Sequence, residues 1–187
     1  MQFSYTDPMQ NPLNATHIDV KPFAKAQTRL AGTVPLREFA RLSEDCVGDA
    51  TGDVVWAAQG MMQPDSAGTD AAWLHLTATA QVTLICQRCL TTVDLALQVQ
   101  RDFRFVPDEA TALAQDDESE EDLLVLSREF DVLALVEDEL LMAMPIVPMH
   151  EFCESKYLQT FGAPADLPSE PPPHPFAALA ALKVRKD

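Results

Sequence analysis

The stretch AWLHLTATAQVTLICQRCLTTVDLALQVQRDFRF, residues 72–105, decides the fold. From Ala72 to Cys86 it alternates. Leu74, Leu76, Ala78, Ala80, Val82, Leu84 and Cys86 fall on one face, and Thr77, Thr79, Gln81 and Thr83 on the other. Side chains of a strand change face at every residue, so this is a long, half-buried β-strand. The alternation resumes with Val93, Leu95, Leu97, Val99, Phe103 and Phe105. Two such runs around Cys86-Gln87-Arg88-Cys89 form a hairpin with a C-x-x-C at its tip.

Upstream, Val54 to Met61 reads as a further strand, weakened at Gly60, and Gln63 to Gly68 has the composition of a turn. The result is at least a three-stranded antiparallel meander. Ile18 to Leu36 mixes apolar residues with Lys21, Lys25 and Arg29. Pro35 suits a first helical position and starts a short helix ending near Ser43. Downstream, Val106-Pro107 ends the sheet, Gln115 to Asp122 is an acidic run that reads as a solvated loop, and Leu123 to Leu126 is a short strand. From Asp131 the period becomes helical through Leu133, Val136, Leu140, Leu141 and Met144. Asp131 serves as N-cap and Pro145 as the stop.

The expected fold class is therefore α+β: a curved antiparallel β-sheet with one long amphipathic helix and short terminal helices. The expected organisation is a flexible N-terminus over residues 1–17 and a single domain over 18–160, with its acidic loop near 115–122. Residues 161–187 form a Pro-rich linker and a last segment, apolar at Phe176, Leu179 and Leu182, then basic at Lys183, Arg185 and Lys186.

The formal net charge of -16 narrows the partners. Nucleic-acid affinity comes from Lys and Arg displacing counterions from phosphates, and an acidic surface repels them. A basic protein suits the charge better. No apolar run reaches the length of about 18 residues that a membrane helix needs. Met1 to Leu13 lacks the pattern of a secretory signal. Four cysteines without such a signal point to a reducing, cytoplasmic setting, where thiols stay reduced or bind metal. No small-molecule substrate is implied.

The cysteines are the chemically pointed residues. Zinc takes four N or S donors, and a C-x-x-C at a hairpin tip supplies two. His150 and Cys153 supply two more, and the intervening helix, about 18 Å long, can carry the chain back across the sheet. The candidate metal site is Cys86, Cys89, His150 and Cys153. A redox role is disfavoured, because a redox C-x-x-C opens a helix whose dipole lowers the thiol pKa, and here a strand follows.

Glu137, Asp138 and Glu139 are consecutive on the helix, about 100° apart, so they cannot form a facing acid–base pair. They form a solvated rim or a receiving surface for a basic partner. Arg88 at the tip, with Arg101 and Arg104 on the next strand, is a second candidate contact. Trp56, Trp73, Phe103 and Phe105 do not repeat as a base-stacking platform.

Three segments in order resemble one family. They are Cys86-Gln87-Arg88-Cys89-Leu90, the run from Leu133 through Glu137, Asp138, Glu139, Pro145 and Pro148 to His150, and Pro175-Phe176-Ala177 leading to Leu179, Leu182 and Lys183. Together they resemble the YceD family of bacterial large-ribosomal-RNA-subunit accumulation proteins, with weaker agreement at Arg29-Leu30 and Arg41-Leu42. The resemblance implies a cytoplasmic, non-catalytic factor in ribosome synthesis. It assigns no catalytic residue or cofactor. On this reading the chain holds a basic ribosomal protein or a large-subunit precursor. The alternatives are an RNA-contacting module using the hairpin tip and the basic C-terminus, and a zinc or thiol enzyme around Cys86, Cys89 and Cys153.

Overall fold

A computed structural model describes residues 15–65 and 68–153. All its helices and strands fall in the compact unit Met1–Glu151. Five strands, β1 (Arg29–Pro35), β2 (Asp53–Pro64), β3 (Asp70–Ile85), β4 (Thr92–Val106) and β5 (Asp122–Val125), make one open sheet in chain order. The helices are α1 (Val20–Lys25), α2 (Ala40–Asp45), α3 (Glu109–Gln115) and α4 (Val132–Ala143), with 3₁₀ turns at Leu36–Glu38 and Asp116–Glu118. The class is α+β. The expected N-terminal flexible stretch and the C-terminal linker lie largely outside the described residues. Ala15, near the end of the former, is buried, and its carbonyl accepts from the Val132 amide at 2.9 Å.

The long hairpin follows the alternation. In β3 the even positions from Ala72 to Leu84 are buried, and β4 pairs with it from Ala72↔Phe105 to Ile85↔Thr92. One sheet face is core. Helix α4 packs on it against β3 and β4, with its Val132, Val136 and Leu140 buried, as are Leu74, Leu76 and Phe103 of the strands. The other face is polar, where His75 Nδ1 meets Asp102 at 2.6 Å and Thr83 donates to Asp94 at 2.6 Å. Two strands differ from the sequence reading. The mixed segment before Pro35 contains β1, paired antiparallel to β2 from Arg29↔Gln59 onward. β5 runs parallel to β4, so the sheet is mixed, with only its first four strands antiparallel.

The acidic run also packs more than its composition suggests. Arg104 on β4 is almost fully buried, and a buried charge is tolerated only when paired and hydrogen-bonded. Its guanidinium donates to Glu121, to Gln115 Oε1 at 2.9 Å and to Ser119 Oγ at 2.8 Å. The segment from α3 to β5 thus folds around one arginine.

The α4 acids have a structural partner. Helix α2 has no side-chain cap of its own. Glu137 Oε1 accepts the backbone N–H of Arg41 at 2.8 Å and of Leu42 at 3.2 Å, capping α2 from another helix. The Arg41 side chain adds bonds to Glu137 at 2.8 Å and Asp138 at 2.5 Å. Losing a cap costs about 1–2 kcal/mol. Glu137→Ala should therefore lower the unfolding free energy by that amount and shift the urea midpoint down accordingly, while Asp138→Ala, an exposed ion-pair loss, should barely move it. Equal midpoints for wild type and Glu137→Ala would contradict the capping role.

Candidate metal centre

The turn that closes the hairpin is built by Cys86 itself. Its amide donates to Thr91 O at 2.8 Å, and its carbonyl accepts from Leu90 N at 2.9 Å. Leu90 takes φ +59, a left-handed conformation costly for a bulky side chain and shared among the described non-glycine residues with Gln27 and Ala50. That bend lets the turn's amides face inward. Burial pushes the Cys86 thiol up. The N–H groups of His150, Cys89 and Arg88, aimed at its sulfur, outweigh burial and bring it down to about 5. The lowered pKa favours the thiolate, the form that binds metal.

The chain after α4 returns to this tip. Pro145 ends the helix, and Gln87 N then donates to Pro148 O at 2.8 Å. Arg88 Nη2 donates to His150 O at 2.9 Å. His150 Nε2 lies 3.0 Å from Thr92 O, and a carbonyl can only accept, so Nε2 carries the proton. Nδ1 is left facing the sulfurs, 3.4 Å from Cys89 Sγ. A carbonyl that fixes the far nitrogen of a ligating histidine is the usual outer support of a metal site. Hydrogen bonding to Cys86 raises the His150 pKa.

Cys86, Cys89, His150 and Cys153 offer four donor atoms that all lie within 4.8 Å of one another. A tetrahedral zinc spaces its donors by about 3.3–3.8 Å, so the set fits after a small inward movement. The donor chemistry, three thiols and one imidazole, also matches a structural zinc site. The four residues singled out from sequence are thus brought together.

The other sequence candidates are placed differently. Arg88 donates to the carbonyls of His150 and Glu151. Glu137 and Asp138 bind Arg41, and Glu139 is buried, 3.6 Å from Arg101 Nε, with its pKa raised by burial. Arg101 also binds Asp122 at 2.5 Å, and Arg104 is enclosed, so the three arginines do not form one basic surface. Sequence reasoning missed the supporting groups, Thr92 O and the inward amides, because backbone atoms leave no mark in residue identity. Among the described residues no helix is long and apolar enough to cross a membrane.

A family profile described as "Large ribosomal RNA subunit accumulation protein YceD" matches residues 74–183, more than half of the chain. A protein of that description from Haemophilus influenzae is 49% identical over 61 residues, covering 30% of this chain and 34% of its own. The chain therefore spans about a third of the length of that curated relative. No solved structure matches the chain. The profile match includes the hairpin, helix α4 and all four clustered residues, and on it the chain belongs to the YceD family.

Proposed function

We propose that the chain serves the accumulation of large-subunit ribosomal RNA in the bacterial cytoplasm, as a binding factor and not as an enzyme. The observation that carries this reading is the family match across the hairpin and α4. The metal centre supports its non-catalytic part. Four protein donors fill a tetrahedral zinc, whereas catalytic zinc keeps a position open for water or substrate. In this reading zinc, when bound, contributes no reaction step. Cys86, Cys89, His150 and Cys153 hold it, and it ties the 148–153 segment to the hairpin tip. The partner is a basic ribosomal protein or a large-subunit precursor, in keeping with the net charge of -16.

Affinity capture from cells tests the partner. The tagged full chain should retain a basic large-subunit protein or precursor. Recovery of naked rRNA alone, lost steeply with added salt, would instead mark direct phosphate contact and overturn the protein-partner reading.

A further inference from the structure

Six large apolar side chains stand exposed on the loop after α2, on the hairpin tip, and at and just after the end of α4: Val47, Leu90, Met142, Ile146, Val147 and Met149. Ile146 is 100% exposed, Leu90 73% and Met142 68%. Backbone hydrogen bonds gather the segments that bear them. Val47 N donates to Thr83 O at 2.8 Å, which holds the loop after α2 beside the tip end of β3. Gln87 N on Pro148 O holds the residues that follow α4 against the tip itself. Exposed apolar side chains gathered within a polar rim mark an interaction site, and methionines let such a surface adapt to its partner.

The rim is acidic. Glu44, Asp45 and Asp49 are exposed around Val47, and Asp94 and Glu151 are exposed near the tip. Among the described residues, Arg41 is engaged by Glu137 and Asp138, and Arg88 by the carbonyls of His150 and Glu151. Phosphate backbones and anionic lipids are repelled by this rim, and a second copy would bring another net charge of -16 against it.

We propose that this surface docks a cationic amphipathic polypeptide segment, its apolar side chains on Ile146, Val147, Met149 and Leu90 and its Lys or Arg residues toward the acids. The proposal rests on the binding-factor reading and names the surface it would use.

The test is titration of the full chain with a labelled Leu/Lys amphipathic peptide. The wild type should bind it, and the matching Leu/Glu peptide should not. Ile146→Glu changes a fully exposed side chain, so its melting curve should be that of the wild type. Its affinity for the Leu/Lys peptide should fall about tenfold, as expected for an interface anchor. Leu113→Glu, on exposed α3, should leave the affinity as it is. Attraction by charge alone predicts the reverse for Ile146→Glu, since added negative charge would hold the peptide equally or more tightly, and that result overturns the proposal. Tighter binding of a single-stranded RNA oligomer than of the peptide also overturns it. So does a dimer in sedimentation that Ile146→Glu dissolves.

A parallel measurement of rRNA keeps the two ideas separable. Unaltered peptide binding by Ile146→Glu, in cells whose 23S rRNA depends on the chain, sinks the surface and spares the function. Weakened binding in cells whose 23S rRNA is indifferent to the chain supports the surface and sinks the function.

Discussion

Protein purified without chelator should carry about one zinc per chain, and Cys86→Ser should carry almost none. The cluster is prepared for this before any metal arrives. Three amides facing its sulfur lower the pKa of Cys86 and favour its thiolate, and Thr92 O sets the His150 ring with Nδ1 inward. Apparent binding energies of structural zinc reach about 10–16 kcal/mol in small zinc-binding peptides. Here the sheet and α4 supply a separate core, so metal loss should loosen the tip without unfolding the domain. Chelation should speed amide hydrogen exchange at Gln87 and Leu90, whose amides are bonded across the tip, and leave Leu76 and Leu140 protected. Cys46, whose thiol bonds to Leu42 O at 3.2 Å outside the cluster, provides the control, and Cys46→Ser should keep its zinc. Zinc-free protein from zinc-replete cells, or identical exchange with and without chelator, would remove the metal from the account.

Gly60→Ala should be among the most destabilising single-methyl additions in the chain. Gly60 lies on the core face of β2, opposite Leu74 of β3. A Cβ there would sit 2.6 and 2.8 Å from two ring carbons of Phe23 and 2.9 Å from its carbonyl oxygen. The ring is buried, and the backbone around it is pinned. Phe23 N bonds to Asp19 O, Thr28 N bonds to Phe23 O, and Gly60 N bonds to Thr28 O at 2.9 Å. Neither strand nor helix can withdraw without breaking one of these bonds. Overpacking of this kind costs about 3 kcal/mol. For a domain of this size that is a fall in Tm of roughly 6–12 °C. Phe23→Leu in the Gly60→Ala background should recover part of the loss, since the two changes share one contact. A Tm for Gly60→Ala within a degree of the wild type would show that α1 does not seat on β2 in this way.

These two sites show what residue identity exposes and what it hides. The hairpin was legible because β3 and β4 bury one face only, so the pleat writes itself into Leu74 through Leu84 at period two. Helix α4 was legible for the same reason at a helical period. Its start was also visible, with Asp131 accepting the Ala134 amide at 2.9 Å. The candidate metal cluster followed from those two elements, since the hairpin fixed Cys86 and Cys89 and the proline after α4 sent His150 back to them. What stayed hidden depends on long-range pairing. β1 has Gly32 and Ala31 where a strand usually carries larger apolar groups, and a Cβ at Gly32 would come within 3.3 Å of the Trp56 ring. β5 is four residues long and is held by its parallel partner. Arg104 reads as a surface charge until the acidic segment closes over it. Glu137 reads as a solvated rim until α2, almost a hundred residues earlier, presents two uncapped amides.

The function proposed for the chain is to sustain large-subunit rRNA by binding. Its most direct test is the ratio of 23S to 16S rRNA in cells depleted of the protein. The ratio should fall on depletion and return on re-expression of the wild-type chain. An unchanged ratio in depleted cells would contradict the claim.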